Sequence, residues 1–174
     1  MPELLVGIFT PGYVSAHASS GAAVILTDLL RPERVRVPIL APDKRGVLDE
    51  LARLVAETGG GPHGDVLRAV EEREAVLSTG MGFGVAIPHG RSPAIPELVI
   101  AAGVTAGPIA FDAIDGEPVR LVFLIAGPDA AAGHHVRLLA RIARIVRHEE
   151  TRARLQAAPT AEAFCAVLAE SEAG

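Results

Sequence analysis

The sequence predicts a single-domain α/β layered fold, and three observations carry that prediction. Strand-like apolar runs and helix-like apolar stripes alternate along the chain from Ile25 onward, as they do in layered folds. Apolar residues make up 49% of the chain and aromatic ones only 3%, with no Trp, so Ala, Val, Leu and Ile must build the core, as suits helices packed on a buried sheet. At 174 residues the chain is one ordinary domain, with no internal repeat and no linker to divide it.

Residues 1–24 read as a leader, loosely ordered or adding one accessory strand, because apolar Leu4–Phe9 runs into the small-residue stretch TPGYVSAHASSG. Ala16-His17-Ala18 imitates a signal cleavage site, but no Lys or Arg precedes it and the apolar segment is too short. The functional start is expected near Val24, and the domain over 25–174. Leu29–Pro32 forms a short helical turn broken by proline, and Val35, Val37 and Ile39 alternate on one face of a strand over 34–40. Asp43 is placed to cap a helix whose Val47, Leu48, Leu51, Leu54 and Val55 follow at helical spacing until Gly59-Gly60-Gly61-Pro62 ends it. A second helix spans 64–77, with Val66, Leu67, Val70 and Val76 inward and Arg68, Glu71, Glu72 and Glu74 mostly outward.

Strands are expected over 98–105, 109–114 and 119–126, with Asp115-Gly116 as the turn between the last two. A long helix over 132–147 buries Leu138, Leu139, Ile142, Ile145 and Val146 and turns Arg137, Arg141, Arg144 and Arg147 the other way. A short helix over 149–157 follows. Thr160 then caps a last helix, with Glu162 as its capping-box partner.

A net charge of −5 and sparse aromatics exclude a general nucleic-acid footprint. No apolar run approaches the roughly 20 residues of a membrane-spanning helix, so no membrane insertion is expected. Cys165 is the only cysteine, which rules out an internal disulfide and fits a reducing cytoplasm.

Chemistry concentrates in Ser78–Arg91, STGMGFGVAIPHGR. Gly80, Gly82 and Gly84 alternate, but here the order is helix, glycines, strand. The dinucleotide fingerprint needs a strand before its glycines and a helix after them. No GK[ST] is present, so the glycines read as a turn that delivers the strand. His89 then stands at the lip of that strand, fixed by Pro88 before it and Gly90 after it. His134 and His135 open a helix. Neighbouring helical residues point about 100° apart, so only one can face a given site. His135 lies on the buried side of the stripe, and His134 is expected to be exposed.

A metal site would have His89 and His135 as two ligands, but no HExxH and no third ligand stands at a telling spacing. A serine hydrolase would need GxSxG, which is absent. Phosphoryl chemistry fits better. A neutral imidazole is a capable nucleophile at cell pH. Backbone N–H groups, a second imidazole and an arginine would supply positioning and charge stabilisation. No cofactor is needed if the donor is another phosphoprotein.

The pattern R-E-x-x-x-S-T-G-x-G-x-G-x-A-I-P-H-G over 73–90, with H-x-R-L-L-A-R-I-A-R over 135–144, resembles the type 2 enzyme IIA domain of the bacterial phosphoenolpyruvate-dependent phosphotransferase system, the fructose/mannitol/nitrogen-regulatory class. The resemblance covers about 27–169. It implies a mixed sheet flanked by helices on both faces, a three-layer sandwich. It makes His89 the residue that takes phosphate from an HPr-like carrier, with His135 supporting it and Arg73, 16 positions upstream (89 − 73), as a helper. Gly80, Gly82, Gly84 and Gly90 would shape the phosphate cradle. Phe83 stands where asparagine or small residues are common, so a differently shaped pocket is expected there.

The implied function is a histidine phosphotransferase that passes phosphate to a separate IIB partner in sugar uptake. The alternative is a regulatory module whose phosphorylation state gates docking to a target protein. No IIB or IIC portion is read in the chain, so separate partners are expected.

Overall fold

A computed structural model describes residues 24–174, and all of the leader but Val24 lies outside the described residues. The elements are α1 (Leu26–Leu29), β1 (Val35–Ile39), α2 (Lys44–Glu57), α3 (His63–Val76), β2 (Gly80–Gly82), β3 (Val85–Ala86), β4 (His89–Arg91), β5 (Val99–Ile109), β6 (Val119–Gly127), α4 (Ala132–Val146), α5 (Glu149–Ala157) and α6 (Ala161–Ala173). Single 3-10 turns precede β1 and α4.

Asp43 accepts from the Gly46 N–H at 2.8 Å and caps α2 as the sequence predicts. Thr160 does the same for α6, but its partner is the Ala163 N–H at 3.1 Å. Ala163 therefore holds the third position, and the capping box expected with Glu162 does not form.

Among the described residues, the strands run in the order β1-β5-β6-β3-β2, and β4 also pairs with β6. β1 is parallel to β5, β5 antiparallel to β6, and both β3 and β4 parallel to β6. Side chains of successive strand residues point to opposite faces. Ile100, Ala102, Leu121, Phe123 and Ile125 thus meet α1, α4, α5 and α6 on one side. Val99, Ala101, Val122, Leu124 and Ala126 meet α2 and α3 on the other. The result is the mixed-sheet, three-layer sandwich.

Three further expectations are corrected. The strand expected over 109–114 is absent: β5 runs on to Ile109, its register shifting after Val104, and Asp112 adopts φ +54. Gly80–Gly82 is itself a strand, joined to β3 by the two-residue turn Phe83-Gly84, with φ +57 and +73. Positive φ at both central residues marks the hairpin turn that matches strand twist. On α3, Val76 is 82% exposed while Glu74 is buried, the reverse of the expected pattern. Polar partners pull Glu74 inward, and apolar periodicity contains no information about them.

Candidate functional site

The strand expected to end at Pro88 is interrupted there and resumes. β3 lies along Leu121-Val122 and β4 along Ile125–Gly127, with the Ile125 N–H donating to the Pro88 carbonyl at 2.9 Å. His89 opens the resumed half. Its Nδ1 lies 2.8 Å from the Ile87 carbonyl. A carbonyl only accepts, so Nδ1 carries the proton and Nε2 keeps the lone pair.

His135, in the first turn of α4, packs edge-on against His89 with centroids 5.4 Å apart and planes at 65°. It is 4% exposed, and neither ring nitrogen has a hydrogen-bond partner. His134 is half-buried rather than exposed. The two rings border a cavity of about 490 Å³. From α3 come Glu72 and Arg73; from β4 come Gly90 and Arg91; Asp129 and Leu139 close the far side. Arg73 also donates to the Leu77 carbonyl at 2.8 Å, capping its own helix, so it is anchored at the cavity rim rather than paired with Glu71 or Glu74. Arg91 lies 3.6 Å from Asp129.

Gly90 is the reason α3 reaches this place. A Cβ there would lie 2.4 Å from the Ala69 carbonyl carbon and oxygen, so only glycine lets the helix rest on β4. Gly80, Gly82 and Gly84 lie elsewhere, in the β2–β3 hairpin, and are not among the cavity-lining residues. Gly80 instead lets the hairpin approach Ala113. Phe83 is 62% exposed and is not among the residues that line the cavity.

Burial pushes the His89 pKa below its ordinary 6.5, against the Ile87 hydrogen bond and with the help of the Arg73 charge. Burial, then His89 and Arg91, push His135 down to about 4. Both rings are neutral at cell pH, and the positive charge of the cavity belongs to Arg73 and Arg91.

Arg91 is a site residue the sequence reading passed over. The signal was present: residues i and i+2 of a strand share a face, so His89 and Arg91 look the same way. A second cavity of about 420 Å³, mostly apolar, adjoins His89 and is lined by Met81, Ile87, Val136, Leu139 and Ala143 among others.

Fold and cavity together describe an α/β phosphotransfer domain. The chain belongs to the family described as phosphoenolpyruvate-dependent sugar phosphotransferase system, EIIA 2, whose model matches residues 28–171. The resemblance read from the two motifs is therefore correct. A nitrogen regulatory protein of Bradyrhizobium diazoefficiens is 38% identical over 144 residues, 83% of this chain and 94% of that protein. A fructose-specific EIIA component of the phosphotransferase system in Haloferax volcanii is 35% identical over 128 residues, 73% of this chain and 83% of that one. The crystal structure of nitrogen regulatory protein IIA-Ntr from Neisseria meningitidis superimposes with a TM-score of 0.77 at 32% identity, covering 82% of this chain and 97% of that one. No described helix is long and apolar enough to cross a membrane.

Proposed function

We propose that His89 accepts a phosphoryl group on Nε2 from an HPr-like carrier and passes it to a IIB partner in phosphoenolpyruvate-dependent sugar uptake. The observation that carries this reading is His135, buried against His89 with both nitrogens unpaired. Leaving a buried polar group without a partner costs about 1–3 kcal/mol. A phosphoryl oxygen on His89 would accept from a His135 N–H and remove that cost. In the transfer, the Nε2–P bond forms as the donor's N–P bond breaks, while the Nδ1 proton stays on the ring, donated to the Ile87 carbonyl. Arg73 and Arg91 offset the roughly −1.5 to −2 charge that arrives. Gly90 contributes to the cradle by admitting α3, and the apolar cavity beside His89 suits partner docking. In this reading the site works in the cytoplasm.

A second reading, a regulatory module whose phosphorylation state gates docking to a target protein, is favoured by the similarity to nitrogen regulatory proteins. Affinity capture with the phosphorylated and unphosphorylated chain separates the two. A IIB protein on the phosphorylated form supports uptake, and a kinase, channel or transcription factor on either form supports regulation.

The site itself is tested by incubating the full chain with phosphoenolpyruvate, enzyme I and HPr and reading intact mass. One acid-labile phosphate is expected, absent in His89→Ala. His135→Ala and Arg73→Ala should slow its arrival by about tenfold to a hundredfold each. Undiminished labelling of His89→Ala refutes the assignment.

A further inference from the structure

Glu74 follows Arg73 on the last turn of α3 but points the opposite way, into the protein. It is 8% exposed, and its carboxylate is fully engaged. The Thr79 N–H donates to both oxygens, at 3.1 and 3.0 Å, and the Thr79 hydroxyl donates to Oε2. Lys44 Nζ, from the start of α2, lies 2.6 Å from Oε1. That ammonium is itself held by the Phe111 carbonyl at 3.2 Å and sits 5.0 Å from the centre of the Phe111 ring.

The chain of bonds does not stop at Thr79. Its carbonyl accepts from the Ile87 N–H at 3.0 Å, and the Ile87 carbonyl accepts from His89 Nδ1 at 2.8 Å. Lys44, Glu74, Thr79, Ile87 and His89 thus form an unbroken series from α2 to the nucleophile.

We propose that Glu74 is a positioning residue for the phosphoryl-transfer site: clamped by Lys44, it pins Thr79, Thr79 pins Ile87, and Ile87 fixes the tautomer and orientation of the His89 ring. The inference rests on the reading of His89 as the phosphoryl acceptor. Two features favour positioning over simple packing. Burying an ion pair is often no more stabilising than burying apolar side chains of the same volume, so stability alone gives little reason for it here. The series also ends on the one ring atom whose protonation decides which nitrogen can attack. Glu74 acts on His89 in a second way, its charge opposing those of Arg73 and Arg91 at the imidazole.

The test uses the full chain and two variants. Glu74→Gln keeps the shape but gives up one acceptor and the pairing with Lys44. Thr79→Val removes only the hydroxyl and serves should Glu74→Gln fail to fold. Ring nitrogen NMR of the unphosphorylated protein should show one Nδ1–H tautomer for His89 in the parent and a mixture in the variants. With phospho-HPr as donor, Glu74→Gln should lower the rate at saturating donor about tenfold, and Thr79→Val about threefold, with the half-saturating concentration unchanged.

An unchanged tautomer or an unchanged saturated rate in the folded variants overturns the proposal. A parent chain that takes no phosphate would instead overturn the reading of His89, and the tautomer measurement would still decide what Glu74 does.

Discussion

An imidazole held neutral by burial responds to whatever charge is placed next to it, and His135 is in that position. Its pKa is about 4 against an ordinary 6.5, so between those values the unfolded chain binds a proton that the folded one refuses. Stability should therefore be unaffected by this group above pH 6.5 and fall as the pH drops from there toward 4. Phosphorylation of His89 reverses the sign, since a dianion beside His135 favours its charged form. NMR titration should find the His135 midpoint near 4 in the free protein and higher in the phosphorylated one. A free-protein midpoint at the ordinary value would contradict the burial argument. His89, His135 and Arg73 were legible in the sequence because the two motifs carry them. The first motif carries Glu74 and Thr79 as well, but their roles were not legible, because the partners that bury Glu74 are a lysine 30 positions upstream (74 − 44) and an amide in the next segment.

Two backbone positions decide how the elements meet. At Gly90, any side chain collides with the backbone of α3, which cannot yield without leaving the sheet. Gly90→Ala should cost about 3 kcal/mol in denaturant unfolding and separate Arg73 from His89. At Phe83, φ is +57, a conformation that L-residues other than Asn and Asp rarely adopt. The guanidinium of Arg152, 4.9 Å from the ring centre, offsets part of that strain. Phe83→Asn should raise the denaturation midpoint by the equivalent of about 0.5 kcal/mol. A fall would show that the stacked arginine outweighs the strain. The helices over 44–57 and 132–146 were readable from apolar spacing and, for the first, its cap. The β2–β3 hairpin was not, because three glycines in a row of alternates look like a loop until their ladder partners are known.

At the scale of the molecule, Glu172 ties the last described helix to the first. Its carboxylate takes the Leu26 and Thr27 N–H groups and the Thr27 hydroxyl, and pairs with Arg141 of α4 at 2.9 Å. Burial alone would raise its pKa, but the Leu26 and Thr27 bonds and Arg141 together lower it below 4.5. The stabilisation is thus present above that value and lost as pH falls through the depressed one. Glu172→Gln should cost about 2 kcal/mol at pH 7 and progressively less in acid, measured by thermal unfolding across pH. Strand-like runs interleaved with helix-like stripes made a layered fold predictable, while this clamp, joining residues 146 apart, had no local signature. The cavity also belongs to this scale, because His135 comes from the layer above the sheet and Arg73 from the layer below. Both layers end at the same edge, where β4 carries His89 between them. If His89 takes a phosphoryl group as proposed, that group would stand like a rivet between the two layers, and a protein docking at that edge would meet it whichever layer it touched.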